Sequence, residues 1–144
     1  MTPDVNVVVA ASRSDHPHHD VAHRWLDEAL AEAGHGRPFT LMPMVLASML
    51  RLVTSARVFT QPTPITDAVA FVDALLAMPG VRLADLGPEW SGLRRLCLEK
   101  QLAGNDLPDA WLASAVIRQS EHLVSFDRDF RRWLTRSQFT LLKT

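Results

Sequence analysis

Two acidic residues follow a short apolar run near the end of the chain. In HLVSFDRDF, residues 122–130, five residues typical of a buried strand lead directly into Asp127, Arg128 and Asp129. Aspartate is common where a strand meets a helix, because its side chain can cap the following turn. Taken alone, this stretch is explained by a polar turn, and any functional interpretation depends on the rest of the chain.

A second acidic stretch is GNDLPDAWLASAVI. If Asp106 caps a helix there, Asp109 falls in the first turn. Helical spacing then places Asp109 on the same apolar face as Leu112, Ala113 and Val116. An ionised carboxylate at the head of an apolar stripe is costly unless helix amides, an arginine or a metal ion compensate it. Capping by the helix's own amides and ligation of a metal both remain open for Asp109.

The third candidate acid is Asp4, in PDVNVVVAAS. Together with Asp109 and Asp127 it could bring three acids from the two ends of the chain to one side of a sheet. Their mutual repulsion would raise their pKa values unless a divalent cation neutralised them. Carboxylate oxygens suit Mg²⁺ or Mn²⁺. Such a cation can lower the pKa of a bound water and stabilise a phosphoryl transition state, which is the chemistry of a metal-dependent nuclease.

Helical and strand-like patterns alternate along the chain and must position these acids. Helical patterns occur in HPHHDVAHRWLDEALAEAGHG, MVLASMLRLVT, PTPITDAVAFVDALLAMPG, EWSGLRRLCLEKQLAG, DLPDAWLASAVIRQ and DRDFRRWL. Strand-like runs are PFTLMP, VRLADL, EHLVSF and SQFTLLKT. The alternation favours an α/β domain with a mainly parallel sheet and helices on both faces. Ligands bind outside the carboxyl ends of such strands, and Asp127 stands at one of these ends.

Length and composition narrow the class of protein. The 144 residues are predicted to form one domain, 1–144, with 47% hydrophobic and 22% charged residues. The formal net charge of -1 argues against bulk electrostatic capture of nucleic acid or membrane, although it leaves a local patch open. The start of the chain lacks a signal-peptide layout, and the longest apolar run is too short for a membrane helix of about 20 residues. We therefore expect a cytoplasmic protein with no membrane partner.

Four stretches of the chain taken together are PDVNVVVAAS, RLVTSARVFTQPT, GNDLPDAWLASAV and LVSFDRDF. In combination they resemble the PIN-domain ribonucleases, and among them the VapC-type toxins of type II toxin–antitoxin systems. The resemblance runs in order from Asp4 to Phe130. It implies a three-layer α/β/α PIN-like fold, an acidic site for Mg²⁺ or Mn²⁺, and cleavage of single-stranded RNA. It also implies a VapB-type antitoxin as partner and a homodimer. Together with the apolar helices near the N-terminus, the resemblance implies a groove for an antitoxin segment whose Arg or Lys reaches the acidic site and displaces the metal.

Carried over residue by residue, the resemblance makes Asp4, Asp109 and Asp127 the catalytic and metal-binding acids. Asp129 and Asp106 are further metal candidates. The supporting residues are Asn6, Ser48 and Arg51, and the candidate RNA contacts are Arg128, Arg131 and Arg132. Guanidinium groups bind phosphate bidentately, but a buried ion pair equally explains Arg51, and a solvated helix face equally explains any one of the other arginines.

Two departures from the family pattern affect these expectations. In LASMLRLVT, Ser48 stands where the family usually has Glu, so the site lacks one charge unless Asp106 or Asp129 substitutes for it. This leaves open an alternative function, a catalytically impaired PIN-like module that binds RNA or protein. The other departure is that only three residues precede Asp4. The pattern of Val5–Ala10 alone predicts a strand, whereas the resemblance makes it the start of the first helix, and we adopt the helix.

Other combinations of residues are less convincing. His19 and His23 have the i, i+4 spacing of a helical zinc pair, but no third strong ligand is fixed nearby. The GxSxG of a nucleophile elbow and the GKS/T of a P-loop are absent. Lone Cys97 fits an apolar helical face with Trp90 and Leu93, and we expect it in the core of a protein from a reducing compartment. Packing in the core, rather than base stacking, is likewise expected for Trp25, Trp90, Trp111 and Trp133.

Overall fold

Five short parallel strands form the centre of the molecule. A computed structural model describes residues 1–144, and its strands are β1 Thr2–Pro3, β2 Phe39–Leu41, β3 Val81–Leu83, β4 Leu123–Ser125 and β5 Phe139–Leu141. β1 pairs with β4, β4 with β5, and β2 with β3, all in parallel. The Thr40 N–H donates to the Met1 carbonyl at 2.8 Å and joins β2 to β1. The strands thus form a three-stranded sheet of order β1-β4-β5 and a two-stranded sheet of β2 and β3, with β2 lying beside β1.

Six α-helices connect and cover these strands. They are α1 Val5–Ser12, α2 His19–Ala33, α3 Pro43–Val53, α4 Ile65–Leu76, α5 Trp90–Lys100 and α6 Asp106–Arg118. A short 3-10 helix, Arg128–Arg132, lies between β4 and β5. The expected α/β/α class with a mainly parallel sheet is confirmed. No helix has the length and apolar character needed to cross a membrane.

The segment after Asp4 is helical, as the resemblance implied and the strand-like pattern did not. The Asp4 carboxylate accepts a hydrogen bond from the Val5 N–H at 2.7 Å and caps α1. Val7, Val8 and Val9 are all buried, so α1 is apolar on nearly every side. Its valines therefore show no helical period, because a fully buried short helix and a buried strand have the same apolar pattern.

One hydrophobic core lies between the sheet and the helices. It contains 28 buried residues, with Phe39, Leu41, Met42, Met49, Leu123 and Phe130 among the largest. α6 contributes Leu112, Ala113 and Val116, so the apolar face predicted for this helix is confirmed. Asp109 lies at the head of that face and is half-buried.

Three expectations about individual residues are wrong. Trp25 and Trp133 pack against the core, but Trp90 and Trp111 are 64% and 37% exposed. Cys97 is half-exposed instead of buried in the core, because α5 contributes no fully buried residue and its apolar stripe faces an open cavity. Asp106 does not cap α6. The helix begins at Asp106 after Asn105, and the Asp106 carboxylate accepts hydrogen bonds from Arg132 instead.

Candidate active site

The strand order places the first acid at a topological switch point. From β1 the chain moves outward to β2 and β3, and it then returns to β4 on the other side of β1. The connections leave β1 and β4 in opposite directions, so a crevice forms outside their carboxyl ends. Asp4 follows β1 directly, and Asp127 follows β4 by two residues. The two acids from opposite ends of the chain therefore meet at this crevice.

Ser125, the last residue of β4, connects the polar side chains of the crevice. Its hydroxyl donates to Asp4 Oδ2 at 2.7 Å and accepts hydrogen bonds from Asn6 Nδ2 at 3.1 Å and the Asp127 N–H at 2.9 Å. Asn6 Oδ1 also accepts from the Phe126 N–H at 3.3 Å. Sequence reasoning missed Ser125, although it stands in the quoted motif LVSFD, two residues before the acid that it holds.

Asp4 is a buried carboxylate without a cationic partner. It is 5% exposed, and its hydrogen bonds come from Ser125 and the Val5 N–H. Burial raises the pKa of Asp4 above its usual value, these hydrogen bonds oppose the rise, and the nearby charge of Asp127 adds to it. No cationic side chain pairs with Asp4, so a cation from outside the chain would stabilise its ionised form.

Asp109 brings the third carboxylate from the first turn of α6. The pKa of Asp109 is raised to about 6, first by burial and then by the charges of Asp4 and Asp127, which outweigh the opposing charge of Arg132. Asp109 and Asp4 line one cavity of about 640 Å³, and Ser48 of α3 lines it too. Position 48 therefore faces the acids, as the family pattern implied.

Asp127 also fills the structural role that its turn suggested. Its Oδ1 accepts from the Asp129 N–H at 2.8 Å and caps the 3-10 helix. Capping and a place at the crevice are compatible, because a carboxylate has two oxygens and this bond uses one of them. Asp129 itself is exposed.

The remaining candidates lie at or near the surface. Arg132 donates to Asp106 Oδ1 at 3.2 Å and lies over the Trp133 ring at 4.3 Å, so both members of this pair already have partners. Arg128 and Arg131 are exposed and make no ion pair. Arg51 is exposed as well, so the alternative of a buried ion pair for this residue is wrong.

The chemistry of the donor set fits a hard divalent cation. Asp4, Asp109 and Asp127 offer only oxygen ligands, and Asp4 and Asp109 both have raised pKa values that a cation would lower. As the side chains stand, no three His, Cys, Asp or Glu residues form a group close enough to hold one ion. The histidines form no such group either. His23 pairs with Asp27, and His19 Nδ1 lies 2.8 Å from the Ala10 carbonyl.

An α/β/α domain with acids at its switch point matches a known family over most of its length. The model of the PIN domain matches residues 1–133. Two relatives from Mycobacterium tuberculosis, ribonuclease VapC25 and ribonuclease VapC31, are 43% and 42% identical over 131 residues, which are 90% of this chain and 90% of each relative. VapC ribonuclease Mb2897 of Mycobacterium bovis is 41% identical over 90% of this chain and 87% of its own.

Two solved structures share the fold at low sequence identity. VapBC2 from Rickettsia felis, bound to a DNA fragment from its promoter, gives a TM-score of 0.67 at 18% identity and covers 99% of this chain and 98% of its own. VapC20 of M. tuberculosis, a toxin that cleaves the sarcin-ricin loop, gives a TM-score of 0.59 at 16% identity. The match covers 91% of this chain and 92% of VapC20. The chain belongs to the PIN-domain family, and its relatives within that family are VapC ribonucleases.

Proposed function

We propose that the chain is a Mg²⁺- or Mn²⁺-dependent endoribonuclease toxin that cleaves single-stranded regions of RNA in the cytoplasm and is neutralised by a VapB-type antitoxin. The observation that carries this proposal is the group of carboxylates at the crevice, where burial and then the charges of Asp4 and Asp127 raise the pKa of half-buried Asp109. VapC relatives of 41–43% identity, all named ribonucleases, support it.

Asp4, Asp109 and Asp127 are the residues that would hold the cation. When bound, the cation would activate a water for attack on a phosphodiester and stabilise the charge that develops on the phosphate. The chain's own contribution is to fix the carboxylates. Ser125 holds Asp4 from the adjacent strand, and Asn6 ties the same hydroxyl to the backbone before Asp127. Asp129 and Asp106 are secondary candidates for metal ligands. Asp106 ranks lower because it already forms an ion pair with Arg132.

The RNA backbone would be held by exposed arginines that follow Asp127. Arg128 and Arg131 carry free guanidinium groups, and Arg132 would have to exchange Asp106 for phosphate. Arginine forms two parallel hydrogen bonds with phosphate, which orients a strand as well as attracting it. A basic side chain of the antitoxin would compete for the same carboxylates, since neither Asp4 nor Asp109 forms an ion pair within the chain.

RNA cleavage by the purified chain tests the enzyme. We expect cleavage with Mg²⁺ or Mn²⁺, loss with EDTA, and a loss of about 100-fold or more in Asp109→Asn, where a ligand is removed. Asp73→Asn, an exposed acid on α4, is the matched control and should leave cleavage unchanged. Cleavage that survives thorough chelation would refute the metal mechanism. Growth arrest on induction that persists in Asp109→Asn would favour the RNA- or protein-binding module.

Co-expression with the adjacent small reading frame tests the partner. A stable complex with reduced RNase activity is expected. A chain that stays active and unbound in the presence of that product contradicts the antitoxin proposal. Light scattering of the chain alone tests the proposal that two copies form a dimer. A single cooperative unfolding transition is expected if residues 1–144 act as one domain.

A further inference from the structure

One wall of the cavity beside the acids carries two exposed tryptophans. Trp111 of α6 and Trp90 of α5 both line the cavity that contains Asp4 and Asp109. Trp111 lies two residues after Asp109 and is 37% exposed, and Trp90 is 64% exposed. Tryptophan rings left this open at a cleft offer flat apolar surface that the core does not use.

A buried carboxylate holds the Trp111 ring in place. Glu89 Oε1 accepts a hydrogen bond from Trp111 Nε1 at 2.8 Å, and Glu89 Oε2 accepts one from the Gly87 N–H at 2.8 Å. Glu89 is 4% exposed and has no ion-pair partner. Burial opposes its ionisation, but the bonds from Trp111 and the backbone outweigh burial and hold the pKa of Glu89 below its usual value.

The hydrogen bond to Glu89 is not needed to satisfy the Trp111 indole, because an exposed indole N–H could bond to water at little cost. The gain is orientation, because the hydrogen bond fixes the ring while leaving part of it open to the cavity. Side chains fixed in this way before a ligand arrives are typical of binding sites.

The chemistry of the cavity favours an uncharged, flat group. Its charged residues are Asp4 and Asp109, and most of the others, such as Val45, Leu93 and Leu112, are apolar. A phosphate held at the acids carries its two flanking nucleosides with it, so a base must lie within one nucleotide of them. An unpaired base is aromatic and uncharged, and single-stranded RNA is commonly bound by stacking such bases on aromatic side chains.

We propose that Trp111, held by Glu89 as a positioning residue, stacks on the nucleobase beside the cleaved phosphodiester of single-stranded RNA, with Trp90 completing the same subsite. The inference rests on the ribonuclease function proposed above and gives that site a base-binding pocket. It also explains the requirement for unpaired RNA, because a base in a duplex already has stacking neighbours on both faces.

Steady-state cleavage of a short single-stranded RNA that contains the cleaved bond tests the proposal. The probes are this RNA and the same RNA with an abasic nucleotide beside the bond. Trp111→Ala should raise KM for the intact RNA by roughly 5- to 100-fold, the range for loss of one stacked base. The abasic RNA should show a similar rise with wild type and little further rise with Trp111→Ala, since both changes remove the same contact.

Glu89→Gln tests the positioning role separately. It should raise KM with kcat little changed and alter the near-ultraviolet circular dichroism of the tryptophans. In a Trp111→Phe background, which has no indole N–H to hold, Glu89→Gln should raise KM no further. Ile117→Ala is the matched control, because Ile117 is a 43% exposed apolar residue of the same helix outside this cavity.

Three results would overturn the inference. One is that Trp111→Ala and the abasic site raise KM by independent factors, so that the two factors multiply when the changes are combined. Another is unchanged KM in a folded Trp111→Ala whose affinity for the antitoxin falls, which would assign the cavity to the antitoxin. A wild-type chain that neither cleaves RNA nor binds it by fluorescence anisotropy would contradict the proposed function as well, whereas the first two results leave that function standing.

Discussion

The two sides of the cleft are built in different ways. At the strand ends, Asp4, Asn6 and Asp127 are connected through the hydroxyl of Ser125, and each contact reaches a buried strand end. The opposite wall consists of apolar side chains of α5 and α6, where one hydrogen bond, from Trp111 to Glu89, fixes a largely open surface. The difference suggests a division of labour in which the strand ends position charge for the reaction and the helical wall recognises an uncharged part of the substrate.

Among the variants that compare the two sides of the cleft, Ser125→Ala should have the largest effect, and it tests the strand-end side. The change removes one partner from Asp4, Asn6 and the Asp127 amide together. RNase activity should fall by about 10- to 100-fold, the usual effect of removing support from a ligand. The free energy of unfolding should fall by about 1–3 kcal/mol, since buried polar groups lose their partner.

Ser114→Ala is the control for this change. Ser114 is also buried, but its hydroxyl donates only to the Ala110 carbonyl of its own helix. Chemical denaturation and cleavage assays on the two variants should give a large loss of activity for the first only. Equal losses of activity would mean that Ser125 has no special part in the site.

Ser48→Glu should strengthen the charged side of the cleft. Position 48 lines the cavity with Asp4 and Asp109, so a carboxylate there adds a ligand or its support. Mn²⁺ affinity measured by calorimetric titration should rise by about tenfold or more, and RNase activity at low metal should rise with it. Asp106→Asn in the natural background is the control. If it weakens Mn²⁺ binding severely and Ser48→Glu gains little, Asp106 supplies the missing charge.

The next prediction concerns stability without metal. The folded-state pKa of Asp109, about 6, lies above its reference value of 3.8. The ionised form is therefore disfavoured by folding, and stability falls as pH rises from 3.8 to 6. Asp109→Asn removes this penalty. In EDTA at pH 7.5 it should raise the free energy of unfolding by on the order of 1 kcal/mol, reduced from the full shift because the group is only half-buried.

Urea denaturation at two pH values checks this sign. The stabilisation by Asp109→Asn should be clearly smaller at pH 4.5 than at pH 7.5, and Asp73→Asn should show no such difference. A variant less stable than wild type at pH 7.5 would show that Asp109 is already compensated within the chain.

The smallest effect is expected at the pair of Arg132 and Asp106. Both side chains are about half-exposed, at 47% and 40%, and exposed ion pairs contribute about 0–1 kcal/mol. Asp106→Asn should leave stability nearly unchanged and raise RNA affinity at low salt by at most about fivefold, because it frees Arg132 for phosphate. Fluorescence anisotropy with labelled RNA measures this. A fall in affinity would contradict the assignment of Arg132 to the RNA backbone.

The same contrast separates what the sequence predicts from what it does not. Asp4, Asp109 and Asp127 stand at the starts and ends of elements, where a charged residue interrupts an apolar pattern and is easily recognised. Trp90, Leu93 and Cys97 form a helical stripe, but periodicity indicates only that one face is apolar. It does not distinguish a face against the core from a face against an open cavity. The role of Glu89 could not be predicted from the sequence, since its partner Trp111 is 22 residues away in the chain.

Direct titration of Mn²⁺ into the purified chain tests the central claim, that the acids at the switch point form one divalent-cation site. Calorimetry on wild type should show saturable Mn²⁺ binding. In Asp109→Asn that binding should weaken by about 10- to 100-fold or disappear, while Asp73→Asn binds as wild type does. Undiminished Mn²⁺ binding by a folded Asp109→Asn variant would contradict the assignment of Asp109 to the site.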